Sequence, residues 1–405
     1  MILKKIFFLH ILPVIIVVIA VHFFIKLNRI QLAYTSYINF SAKEINENKG
    51  FDKFYPNEIK NQVSLAISLK RGIPVLFGSS ELTSTHLSGI ASNFFNNNKG
   101  DKFLSVGHAG FQNFSILSVL AANKSVLKNS KITIILSPGW FEKQFCKGTS
   151  IASFFEFCPP NYLYQIYKDT SIDKTTKKHI QSYLYANYDK INSPDAVLRL
   201  MSKNQTTSIN SIFNYPLEFL NNTLLKQQEK LDAYLISQKQ ILDVINNYSV
   251  TPYLFRNKYV NWDSLKFIAS HEFKLISNNN LIGVQNDYYN NWLKNKPKKV
   301  LHVLDIDKNN EYKDFTVLIN FLKNNNIKPL FVIMPLNSLA HKNLEVLAPT
   351  VKSINDLLVK NNFTTLDMFT PNLKNYQIGV LEDIMHPYNV GWYQIDKFIL
   401  ENYHD

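Results

Sequence analysis

The chain has 405 residues, 46% of them hydrophobic and 19% charged, with a formal net charge of +13 and a pI near 9.3. That balance excludes wholesale disorder and supplies enough apolar material for one large α/β domain with an insertion, or for two ordinary domains. The basicity would suit nucleic acid, an anionic membrane surface or a polyanionic substrate, but no block of five or six basic residues stands out, so the charge reads as diffuse and no nucleic-acid partner is expected.

Ile6 to Ile25 forms a run of twenty residues without a formal charge, flanked by Lys4, Lys5 and Lys26. Its length matches the hydrocarbon thickness of a bilayer. His22-Phe23-Phe24-Ile25-Lys26 offers no small-residue cleavage pattern, so residues 1–30 read as an uncleaved transmembrane signal anchor. Lys4 and Lys5 nearly balance Lys26 and Arg29. Orientation then rests on the default in which a short N-terminus stays inside, and a single-pass protein of the cell membrane with its catalytic domain outside is expected.

Residues 31–70 read as a stalk and leading helix, and 71–405 as an extracytoplasmic domain. Within it, Ile73-Pro74-Val75-Leu76-Phe77 is a short apolar run ending in Gly78-Ser79-Ser80-Glu81. Phe103-Leu104-Ser105-Val106 ends likewise in Gly107-His108-Ala109-Gly110, and Ile132 to Leu136 in Ser137-Pro138-Gly139. Each reads as a buried parallel strand entering a sharp turn. The chain has only 12 glycines, and Gly78, Gly107, Gly110 and Gly139 all sit just beyond these strands, where backbone positions need positive φ or close approach. Ligands bind at the carboxyl ends of strands in open α/β sheets.

From about 145 to 300 the pattern changes to helical segments rich in Tyr, Asn and Lys, with Leu217 to Ile245 as one long amphipathic stretch, which reads as a helical insertion. It begins with the only two cysteines, Cys146 and Cys158. Their spacing is no metal-site pattern, and either a loop-closing disulfide or two buried thiols would fit. The α/β pattern resumes with a helix over Phe315 to Leu322, a strand at Pro329 to Met334 and a helix over Val346 to Leu358. Thr364 to Met368 follows as a last strand, and a final helix starts after Asn389. The outline is a three-layer sandwich around a five-stranded parallel sheet.

A serine on a tight strand-to-helix turn projects its hydroxyl above the sheet, and Ser80 occupies that place. Turn serines also cap helices, so the position alone does not make a nucleophile. A hydroxyl needs a base within hydrogen-bond reach, and the base needs a partner to hold its tautomer. Asp383-Ile384-Met385-His386-Pro387 offers both in one loop, which completes an expected catalytic triad of Ser80, Asp383 and His386. Of the remaining histidines, only His108 falls near the expected site. Donors for a developing oxyanion are the N–H of Ser80, the N–H groups around Gly107 and Gly110, and the side-chain amide of Gln112, which would alternatively cap the next helix.

Together these residues resemble the SGNH/GDSL hydrolase family, whose blocks supply a G-D-S-type nucleophile, a glycine, an asparagine and a closing D-x-x-H. Gly78-Ser79-Ser80-Glu81-Leu82 departs from G-D-S-L, and Ser137-Pro138-Gly139-Trp140-Phe141 stands where the asparagine is usual. With these departures, G-x-x-G-x-Q from Gly107 to Gln112, Met334-Pro335-Leu336-Asn337 and Asp383-x-x-His386-Pro387, the chain is more closely similar to the DltD family of D-alanyl-lipoteichoic acid biosynthesis proteins.

That resemblance implies an SGNH-like fold and a part in D-alanylation of teichoic acid outside the membrane. Ser80 would exchange a D-alanyl ester with polymer hydroxyls, and Gly107, Gly110, Gln112 and Trp140 would serve the oxyanion and the substrate. It implies teichoic acid or another anionic envelope polymer, a membrane-bound O-acyltransferase and an acyl carrier protein as partners. Ester exchange between hydroxyls is nearly energy-neutral, so no cofactor or metal is expected. Two other readings stay open, an O-acyltransferase or esterase on another envelope polysaccharide and a non-catalytic docking partner of the membrane acyltransferase.

Overall fold

The computed structural model describes residues 53–54, 65–66, 68–84, 86–98, 101–158, 160–191, 254–255 and 259–403. The expected anchor at 1–30, most of the stalk and the amphipathic stretch from Leu217 to Ile245 lie outside the described residues. Among the described residues no helix is long and apolar enough to cross a membrane.

Six strands form one parallel sheet: β1 (Lys53–Phe54), β2 (Val75–Phe77), β3 (Leu104–Val106), β4 (Ile132–Leu136), β5 (Leu330–Ile333) and β6 (Thr365–Asp367). The last five are the strands expected from sequence. The sheet is one strand wider than predicted, because β1, within the stretch read as stalk, pairs with β3 at one edge. Two residues are too few to display a period, so no pattern marks β1 in advance.

Across the sheet the order is β1-β3-β2-β4-β5-β6. Since β3 lies on one side of β2 and β4 on the other, the winding reverses at β2. A parallel sheet opens its binding crevice beyond the carboxyl ends of the strands at such a reversal, which is where the turn from Gly78 to Ser80 leaves β2.

Alternation along each strand feeds two cores. Val75, Phe77, Ile132, Ile134, Leu136, Phe331 and Ile333 belong to one cluster of buried residues. Leu76, Ile135, Leu330 and Val332 belong to the other. The first is covered by α1 (Asn113–Ala122), α2 (Ile151–Phe157), α3 (Pro160–Lys168), α4 (Lys174–Ala186), α6 (Asn310–Asn324) and α7 (Ala348–Lys360). The second is covered by α5 (Trp262–Ile276) and α8 (Asn389–Tyr403). The result is helices on both faces, a three-layer α/β sandwich.

The inserted segment therefore supplies both layers. Its Phe154, Phe157, Tyr162, Leu163, Ile180 and Leu184 are buried with α1, and its Ala269 and Phe273 with α8. Each such large apolar side chain stabilises the fold by roughly 1.5–3 kcal/mol on full burial. Cys146 and Cys158 are both free and buried, and burial pushes both thiols above their ordinary pKa. Of the two readings of this pair, the structure has buried thiols.

Candidate active site

Ser80 opens a 3-10 turn, Ser80–Thr83, directly after β2, and is partly exposed. The turn is pinned from within. Glu81 folds its buried carboxylate back to accept the Ser79 N–H at 2.6 Å, and Thr83 Oγ1 donates to the Ser80 carbonyl at 2.6 Å. Ser79 points elsewhere, donating its hydroxyl to the His108 carbonyl at 3.1 Å.

The loop from 380 to 388 is closed like a small hairpin. Tyr388 N–H donates to the Val380 carbonyl and Glu382 N–H to the His386 carbonyl, each at 2.9 Å. Inside it, Asp383 Oδ1 accepts the N–H groups of Met385 and His386, both at 2.7 Å. This local ring explains why a three-residue spacing works, because it leaves Oδ2 free to face the imidazole. His386 Nδ1 lies 2.6 Å from Asp383 Oδ2, and His386 Nε2 lies 2.9 Å from Ser80 Oγ. With the proton on Nδ1 held by the carboxylate, Nε2 is left to accept the serine hydroxyl.

The surrounding charges favour the imidazolium, the form the ring takes once it has accepted the serine proton. Burial pulls the His386 pKa down, but the Asp383 hydrogen bond and the negative charges of Asp383, Glu81 and Glu382 outweigh it, so the net displacement is upward. Burial raises the Glu81 pKa despite the hydrogen bond from Ser79, and the same holds for Glu382 despite the bond from Ser84. Two tyrosines sense Asp383: burial and that carboxylate push Tyr288 up to about 12 and Tyr376 higher still.

The loop after β3 packs directly on the serine turn. Gly107 has φ +139°, and a Cβ there would sit 1.7 Å from the Gly78 carbonyl oxygen, so only glycine permits the approach. Gly110 has φ +88°, and a Cβ there would lie 2.6 Å from Ser153 Oγ of α2.

Comparison with known proteins bears on this geometry. The sequence profile described as DltD protein matches residues 52–404. The chain belongs to the DltD family. It is 24% identical over 353 residues to Protein DltD of Bacillus subtilis (strain 168), covering 81% of each chain. To Protein DltD of Staphylococcus aureus (strain NCTC 8325 / PS 47) it is 22% identical over 334 residues, covering 81% of this chain and 80% of the relative.

In this member of the DltD family, Ser80, His386 and Asp383 meet, while Gly107 packs against Gly78 of the serine turn and Gly110 against Ser153 of α2. Gln112 and Trp140 make no hydrogen bond to that chain of three. Gln112 is the N-cap residue of α1 but its side chain makes no cap hydrogen bond. Instead the Asn113 N–H and side-chain amide donate to Glu311 of α6, at 3.0 and 2.8 Å. Trp140 is nearly buried in the 3-10 turn Pro138–Phe141 at the carboxyl end of β4. Asn309 holds that turn by donating to the Phe141 carbonyl at 2.9 Å.

Sequence reasoning gave no role to several residues that shape the site, among them Asn337, which it quoted only as part of the Met334–Asn337 motif. Asn337 N–H donates to the Ile384 carbonyl at 3.0 Å, and its amide to the Ile282 carbonyl at 3.1 Å, linking the β5 loop, the His386 loop and the insertion. Glu382 accepts from Ser84 and from Gln285. Adjacency to Asp383 was the one signal pointing to Glu382. Gln285, 97 positions away, had none.

Proposed function

We propose that this chain is a serine acyltransferase of SGNH type that acts in D-alanylation of teichoic acid outside the membrane, with Ser80, His386 and Asp383 as its catalytic triad. Family membership supports a role in D-alanylation of teichoic acid in general. The observation that carries the finer reading is the unbroken hydrogen-bonded path from Ser80 Oγ through His386 to Asp383.

In this reading Ser80 Oγ attacks the carbonyl carbon of an activated D-alanyl group while its proton passes to His386 Nε2. Asp383 stabilises the imidazolium that forms. Backbone N–H groups of the Ser80 turn and the Gly107–Gly110 loop, with Gln112, receive the charge on the tetrahedral oxygen, and Trp140 lines the substrate side. As the tetrahedral centre collapses, the donor's oxygen or sulfur leaves with the proton from His386, and D-alanine remains esterified to Ser80. A polymer hydroxyl then repeats the sequence in reverse, giving its proton to His386 and returning it to Ser80 as the ester moves on.

The remaining features follow from where the polymer is. An N-terminal helix at 1–30 would hold the domain at the outer membrane surface beside a membrane-bound O-acyltransferase and a carrier that delivers the acyl group. A net charge of +13 would concentrate a phosphate-bearing polymer near the site. Complementation tests the proposal: in a D-alanylation-deficient strain, the wild-type gene restores ester-linked D-alanine on the wall polymer and Ser80→Ala does not. Equal restoration by an equally expressed Ser80→Ala protein would leave docking, not acyl transfer, as the activity.

A further inference from the structure

Glu382 stands next to Asp383, and its carboxylate makes contacts that the acyl-transfer steps do not use. Its side chain is almost buried. Ser84 donates its hydroxyl to Oε1, and Gln285 donates its side-chain amide to Oε2 at 3.1 Å. The main chain repeats the connection, with Gln285 N–H donating to the Glu382 carbonyl and Glu382 N–H to the His386 carbonyl, each at 2.9 Å. One residue thus touches the turn that carries Ser80, the inserted segment and the loop that carries His386.

We propose that Glu382 is a positioning residue, whose carboxylate clamps the serine turn at Ser84 and the inserted segment at Gln285 to the loop that carries His386. The inference rests on reading Ser80 as the nucleophile and adds to it what keeps the two reactive atoms in register. Serine and histidine come from opposite ends of the chain, so no local hydrogen bond can fix their separation. A clamp anchored four residues beyond Ser80 and four residues before His386 can. Misplacement of reacting groups by about 1 Å costs on the order of 100-fold in rate.

The same residue also bears on the base. The charged groups facing His386 are Asp383, Glu81 and Glu382. Those facing Glu382 are Asp383, His86 and His386, with the Tyr388 hydroxyl sensing it from the start of α8. His86 Nε2 lies 3.6 Å from Glu382 Oε2 with its ring mostly in solvent. Removing the negative charge at 382 lowers the His386 pKa, so the acidic limb of any reaction that needs the neutral imidazole moves to lower pH.

The test uses the full chain and the rate at which a fluorophosphonate probe labels Ser80 as a function of pH. Glu382→Ala deletes the clamp, and its plateau labelling rate falls about 10- to 100-fold. Glu382→Gln keeps an oxygen for the Ser84 hydroxyl and recovers most of that rate, with its acidic midpoint lowered. A merely structural role would lower the folded fraction and leave the rate and midpoint of the folded molecules alone. Should Glu382→Ala fail to fold, Ser84→Ala and Gln285→Leu remove the clamp from its other side and slow labelling in the same way. Folded Glu382→Ala labelling at the wild-type rate overturns the assignment. So does Glu382→Gln as slow as Glu382→Ala, because charge and not the bridge would then set the rate. Wild-type protein that never labels defeats the nucleophile reading itself. The clamp is then judged by the His386 ring resonances in the NMR spectrum at a pH where the ring is neutral, which move in Glu382→Ala and hold in Glu382→Gln if the bridge positions the loop and stay in place in both if it does not.

Discussion

Ser80 Oγ and His386 Nε2, 306 positions apart in the chain, lie 2.9 Å from one another. The parallel sheet makes that meeting possible, because β2 and the loop leading into α8 both open at its carboxyl edge. Proton transfer between the two atoms needs no movement of the backbone.

With His386 as the proposed base, the histidine sets the pH dependence. As a base it works only when neutral, and its pKa is displaced upward from the ordinary value of about 6.5. Labelling of Ser80 by a fluorophosphonate therefore rises with pH through a midpoint above about 6.5. Asp383→Asn moves that midpoint down, since it removes both the hydrogen bond to the imidazolium and the largest nearby charge. The plateau rate of the same variant falls by about 1,000- to 10,000-fold, because Nδ1 no longer holds its proton toward a carboxylate. A pH–rate profile of the two proteins checks both statements.

Glycine at 107 is required by contact and not by flexibility. Gly107→Ala drives a methyl group into the Gly78 carbonyl, where the gap is 1.7 Å, and destabilises the fold by about 3 kcal/mol or more. Denaturant unfolding monitored by fluorescence reads the loss directly.

Gly110 allows a finer separation. Gly110→Ala meets Ser153 Oγ at 2.6 Å and also strains a backbone at φ +88°. Ser153→Gly in the same chain relieves the clash and leaves the backbone strain of about 1–2 kcal/mol. A double-mutant cycle in unfolding free energy gives a favourable coupling between the two substitutions; simple additivity would mean that the loop moves aside instead.

Asp396 of α8 is fully buried, and neither carboxylate oxygen has a hydrogen-bond partner among the described residues. Burial raises its pKa well above the ordinary carboxylate range. A carboxyl displaced upward on folding contributes stability that is complete below its unfolded pKa and is lost as pH rises through the folded value. Asp396→Asn therefore stabilises the protein at pH 8, by about 1–3 kcal/mol, and changes little at pH 4. Thermal unfolding at the two pH values measures the difference.

Much of this was legible in the residues, for physical reasons that can be named. Short buried runs such as Ile132 to Leu136 leave few alternatives to a parallel strand, and the scarcity of glycine made Gly78, Gly107 and Gly110 conspicuous. The Asp383 and His386 pair could be read because its geometry is closed within four residues. What escaped depends on distant partners. β1 is too short to carry a pattern, and Glu311 caps α1 from 198 positions away. The path of the insertion into both core layers follows from tertiary packing, which periodicity does not encode.

The most direct measurement is the site of covalent modification. Full-length protein treated with a fluorophosphonate and digested for peptide mass spectrometry should carry one phosphonyl group on Ser80, absent from Ser80→Ala and strongly reduced in His386→Ala. A folded wild-type protein left unmodified, or one modified elsewhere to the same extent in Ser80→Ala, would contradict the account.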